Sequence, residues 1–128
     1  MVGGEGIIEI QDGLLVIKIN GFWARILAFK SKMTIPLVAI DDVITDPIII
    51  RRTISGSFRI LGTSFGNYHG GTFYKKGRGI AFFSFRTIDR SIMLIMKGFY
   101  KYKIIVIEVR DKEKTYSIIR KAIDNSSS

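Results

Sequence analysis

Few residues in this 128-residue chain are of types that do chemistry, and their spacing decides which chemistry is open to them. His69 is the single histidine and cysteine is absent, so a zinc site would need His69 and carboxylates gathered from separate segments. Ser64, His69 and Asp89 have the residue types of a nucleophilic triad, but no Gly-x-Ser-x-Gly turn presents the serine. Asp41 and Asp42 are adjacent, which in a strand sends them to opposite faces, so they do not form a cooperating acid and base. Gly62, Gly66, Gly70 and Gly71 match no phosphate-cradling pattern. The run from Arg78 to Phe85 imitates an RNA-stacking signature but departs from it at Ile80 and Phe83, and more strands rather than a helix follow. The expectation is a protein that is not an enzyme, holds no metal or cofactor, and has nucleic acid as a disfavoured partner.

What the sequence does supply is positive charge. Twenty Lys and Arg stand against 11 Asp and Glu, a net charge of +9, which biases the surface toward anionic partners. Arg51, Arg52, Arg59, Lys75, Lys76 and Arg78 are the candidate anion- or membrane-binding residues, with Lys97, Lys101 and Lys103 further along. They fall mostly at strand ends and turns, where a meander places alternate turns at one rim. Spacing leaves open whether they converge there or simply solvate the surface. Phe99, Tyr100 and Tyr102 are candidate interfacial aromatics beside that rim.

The elements that must position these residues are mainly strands. A hydrophobic fraction of 47% in 128 residues predicts one domain over 1–128, with a core over about 5–124 and a disordered tail over 125–128. Met1-Val2-Gly3-Gly4-Glu5 reads as neither a signal peptide nor a myristoylation site, and no apolar run approaches the ~20 residues of a bilayer span. A cytoplasmic protein, soluble or peripheral to the membrane, is expected. Abundant isoleucine with a single Gln and three Asn gives a thermophile-like composition.

Gln11-Asp12-Gly13 between two β-rich runs predicts a hairpin, with Leu15, Ile17 and Ile19 toward the core. Phe22, Ile26 and Phe29 at helical spacing predict a short helix beside Trp23, read as a core plug. Strands are expected over 31–35 and 37–45, then an exposed connection with one irregular strand from Ile48 to Phe58, then a glycine-punctuated loop from Leu61 to Gly71. Four apolar runs, Gly71 to Lys76, Gly79 to Phe85, Ser91 to Met96 and Lys103 to Val109, read as a meander. A helix from about Lys112 to Asp124 closes it, capped by Asp111, with Tyr116, Ile119 and Ile123 inward. Both faces of the late strands are apolar, so those strands are either central or covered by a partner subunit.

In this order the chain resembles the bacterial pleckstrin-homology-like (PH-like) domains, whose members are generally uncharacterised. The resemblance rests on Ile35-Pro36-Leu37 followed by Ile40 and Val43, on Leu61-Gly62-Thr63, on Gly71-Thr72-Phe73-Tyr74 before a basic turn and Phe82, on Lys103-Ile104-Ile105-Val106 before an Asp-initiated helix, and on Trp23 after Gly21. It covers about Leu14 to Ile123. It implies a partly open antiparallel β-barrel or sandwich of seven or eight strands, capped by the C-terminal helix. It implies too a binding scaffold for head groups or peptides. Eukaryotic lipid-binding members grip phosphate between their first two strands, but that turn is here Gln11-Asp12-Gly13, without Lys or Arg. The leading functional expectation is a non-enzymatic module that binds a protein or copies of itself through apolar strand faces and edges. The alternative is a peripheral binder of anionic phospholipid membranes through a basic rim.

Overall fold

A computed structural model describes residues 5–19, 32–65 and 68–126, with side chains over 7–18, 32–60 and 69–126. The helix expected over 22–29, Gly21 and Trp23, and Ser127 and Ser128 lie outside the described residues.

Asp12 (φ 46°) and Gly13 (φ 79°) both take the positive φ that a tight two-residue hairpin requires, and they join β1 (Glu5–Gln11) to β2 (Leu14–Ile19). β2 pairs on with β3 (Lys32–Pro36), followed by a 3-10 turn (Leu37–Ala39) and β4 (Ile40–Ile44). Helix α1 (Pro47–Ile54) starts where its free amides find partners: Asp46 Oδ1 accepts the Ile48 N–H at 2.9 Å, and Pro47 takes the first helical turn. β5 (Phe58–Phe65), β6 (Tyr68–Lys75) and β7 (Gly79–Phe85) form an antiparallel ribbon. A second 3-10 turn (Ile88–Arg90) leads to β8 (Ser91–Met96), β9 (Ile104–Val109) and helix α2 (Lys112–Ser126).

β9 is the hub. It pairs antiparallel with β8, parallel with β7 over Ile104 to Ile107, and parallel with the start of β1 at Glu108 and Val109. The described strands therefore make a six-stranded sheet in the order β4-β8-β9-β7-β6-β5 and a three-stranded sheet β3-β2-β1, with no closed barrel. All six residues of β9 are buried because each face of the six-stranded sheet has its own cover. On one face Phe82, Leu94, Ile105 and Ile107 meet Leu15, Ile17 and Ile35 of the three-stranded sheet and Ile119 and Ile123 of α2. On the other, Phe73, Phe83, Met93 and Val106 lie under Ile50 of α1. Fully burying one such isoleucine is worth roughly 1.5–3 kcal/mol, which suffices to hold a two-turn helix that would not form alone.

The mainly β architecture and the inward C-terminal helix match the expectation, as does the cap: Asp111 Oδ1 accepts the Lys114 N–H at 3.1 Å. Six features differ. Nine strands are described rather than seven or eight, and two neighbour pairs are parallel: β7 with β9, because the chain crosses from β7 to β8 and then lays β9 between them, and the start of β1 with the end of β9. The connection from Ile48 to Phe58 is mostly helical, since Ile50 and Ile54 fall one turn apart behind the Asp46-Pro47 start. The Leu61–Gly71 segment is a hairpin in which Gly62 sits opposite Gly71 and Thr63 opposite Gly70. Residues 37–45 open with a 3-10 turn rather than a strand, and α2 runs two residues further than predicted, into the expected tail.

Candidate functional site

Strand register decides where the basic residues go. Lys75 ends β6 opposite Gly79, which starts β7. Phe58 starts β5 opposite Tyr74. Ile104 starts β9 beside Ala81, and Met96 ends β8 with its N–H on the Lys103 carbonyl at 3.0 Å. The start of β5, the β6–β7 turn and the β8–β9 loop therefore share one end of the six-stranded sheet. The last turn of α1 joins them, because Lys75 Nζ donates to the carbonyl of Ser55, its C-cap.

This end gathers Arg51, Arg52, Arg59, Lys75, Lys76 and Arg78, and with them Lys97, Lys101 and Lys103. No Asp or Glu occurs between Asp46 and Asp89, nor between Asp89 and Glu108, so α1, the start of β5, the β6–β7 turn and the β8–β9 loop bring no negative charge to this end. The acids near it are Asp41 and Asp42 at the start of β4, where Asp42 lies opposite Ile95 and is paired with Arg120. The cations divide by what they already hold. Lys75 is tied to α1, Lys103 Nζ donates to the carbonyls of Gly98 and Tyr100 at 2.6 and 2.8 Å, and Lys101 lies 5.2 Å from the Tyr102 ring centre. Arg51, Arg52, Lys76, Arg78 and Lys97 are exposed and have no acidic partner among the described residues. Those five are available to an anionic surface.

The three candidate aromatics separate. Phe99 is 71% exposed at the tip of the β8–β9 loop. Tyr102 is buried against Phe82, with ring centres 5.9 Å apart, so it is a core residue rather than an interfacial anchor. Tyr100 is half-buried, and desolvation, helped by the neighbouring Tyr102, pushes its phenol above the ordinary tyrosine value. It stays neutral when an exposed tyrosine would ionise and adds no negative charge to the rim. Its contribution to stability falls only in strong alkali, where the unfolded chain ionises first.

A set of residues that periodicity did not single out lies at the same end. Phe58, Tyr74 and Ile80 face one another in register across β5, β6 and β7, and they are 59%, 36% and 41% exposed. Cross-strand register is the signal that groups them, and it exists only because β5 pairs with β6 and β6 with β7.

The residues considered for catalysis are placed otherwise. His69 is half-buried with its ring 5.4 Å from that of Phe85, Asp89 is exposed on the second 3-10 turn, and the Ser64 side chain lies outside those described. Asp41 and Asp42 are both exposed because a bulge interrupts β4, and Asp42 Oδ1 accepts from Arg120 Nη2 at 2.9 Å. Phe82, Phe83 and Phe85 are buried, so the RNA-like signature presents no ring to a base. Among the described residues no three His, Asp or Glu gather as metal ligands, and no helix is long and apolar enough to cross a membrane. An open groove of about 460 Å³ between the β1–β2 turn and α2 is lined by Ile10, Leu37, Ile118 and Ala122, with Lys121 its one ionisable side chain, so it offers no acid–base pair. Compared with protein-family models, with curated proteins and with solved structures, the chain matches none.

Proposed function

We propose that this chain is a non-enzymatic, PH-like binding module that docks on anionic phospholipid membranes by the basic end of its six-stranded sheet. The observation that carries the reading is the convergence of Arg51, Arg52, Lys76, Arg78 and Lys97 at one end, exposed and without an acidic partner among the described residues, against Asp41 and Asp42 as the acids of the adjoining β4 start, where Asp42 is already paired with Arg120. Each Lys or Arg near an anionic bilayer contributes about 1 kcal/mol, so five supply about 5 kcal/mol, an attraction in the range of a few tenths of a millimolar with no pocket required. The cytoplasmic leaflet is the anionic one, which makes it the surface proposed here. A protein partner or a second copy was the leading expectation because the late strands are apolar on both faces. Both faces of β8 and β9 are covered from within the chain, by the three-stranded sheet with α2 and by α1, so that reason for a partner subunit falls away.

Vesicle co-sedimentation tests the reading. Phosphatidylcholine vesicles containing phosphatidylglycerol should pellet the protein, and raising salt should release it as the Debye length shrinks. Equal partition into pure phosphatidylcholine would contradict it.

A further inference from the structure

We propose that the apolar row Phe58, Tyr74 and Ile80, continued by Phe99, is the part of this docking end that enters the bilayer interface. The inference rests on the membrane reading above and adds a hydrophobic component and an orientation to it.

Tyr74 faces Phe58 on one side and Ile80 on the other. The Lys103 N–H donates to the Ile80 carbonyl at 2.8 Å, and Lys103 Nζ holds the carbonyls of Gly98 and Tyr100, which fixes the loop bearing Phe99 beside the row. On β7 the next residue of the same face, Phe82, is 1% exposed under the first core, whereas Ile80 is 41% exposed. The cover from the three-stranded sheet thus stops one rung short of the basic end. Apolar side chains left in water at a charged rim mark a contact surface.

The chemistry of the row favours lipid. The rings of Phe58 and Tyr74 already lean on each other, with centres 5.5 Å apart at 49°, and the third member is aliphatic, so the row is a poor platform for stacked bases. A mixed aliphatic and aromatic strip with one hydroxyl, flanked in sequence by Arg59, Lys75, Lys76 and Arg78, fits the boundary between acyl chains and anionic head groups. Charge complementarity names the occupant: an anionic bilayer.

The absence of cysteine permits a clean test. Phe58→Cys, Ile80→Cys and Phe99→Cys, each labelled with an environment-sensitive dye, should shift to the blue and become shielded from an aqueous quencher when phosphatidylglycerol vesicles are added. The same dye at Asp89→Cys, on the opposite end, should not change. In parallel, Phe58→Ser with Ile80→Ser should weaken partition about tenfold while leaving its salt dependence intact. Binding with dyes at 58 and 80 still in water would overturn the inference and leave electrostatic docking standing. A blue shift that grows with protein concentration without vesicles would overturn it in favour of self-contact. A protein that ignores anionic vesicles altogether would overturn both readings.

Discussion

The two ends of the six-stranded sheet treat polar groups in opposite ways. Where β7 crosses to β8, polar groups turn inward: Glu108, 5% exposed, accepts the backbone N–H groups of Arg86 and Thr87 at 2.7 and 3.0 Å through Oε1, and Ser91 Oγ donates to the Thr87 carbonyl at 2.7 Å. At the other end Arg51, Arg52, Lys76, Arg78 and Lys97 turn outward, and Phe58, Ile80 and Phe99 stand in water beside them. The first arrangement satisfies the backbone of a crossover that could not otherwise be buried. The second adds nothing to the core, and an apolar row left in water beside cations fits the contact surface proposed for it. One end builds the fold, and the other is the end proposed to dock.

The sharpest way to break this contrast is to unseat the closed end. Glu108→Ala leaves two amides of the crossover without their acceptor and should lower unfolding free energy by about 2–4 kcal/mol. Glu108→Gln keeps an acceptor oxygen and should lose less than half of that. Urea denaturation measures both, and a neutral Glu108→Ala would mean that the crossover is not held by this side chain. A smaller effect is expected from Asp46→Ala, which removes the cap of α1 and should cost about 1 kcal/mol in the same assay. Because α1 carries Arg51 and Arg52, that variant should also bind anionic vesicles somewhat less well, while Glu108→Gln should bind them as the parent does.

Much of the fold was legible in the sequence, because its strongest signals are local. Asp12-Gly13 specified a hairpin, and Asp111 with Ile119 and Ile123 specified a capped helix with an inward face. What was not legible depends on pairing between distant segments. Three consecutive isoleucines, Ile48 to Ile50, are β-branched and argue locally for strand, but Asp46, Pro47 and the buried surface waiting for Ile50 outweigh that preference. No period in β7, β8 or β9 says that β9 lies between the other two. The basic residues were nameable one by one, yet their convergence follows only from the register that brings the β6–β7 turn, the β8–β9 loop and the start of β5 together. Tyr102 illustrates the reverse error, since an aromatic beside lysines read as a surface anchor and is instead a core residue.

Location and net charge can be separated in one comparison. Arg52→Glu/Lys76→Glu/Arg78→Glu alters the open end, and Arg90→Glu/Arg110→Glu/Lys114→Glu alters the closed end by the same total charge. Partition onto phosphatidylcholine vesicles containing phosphatidylglycerol should fall about a hundredfold for the first and only a few-fold for the second. Equal losses for the two variants would show that the chain responds to anionic surfaces through its overall charge and would contradict a dedicated docking end.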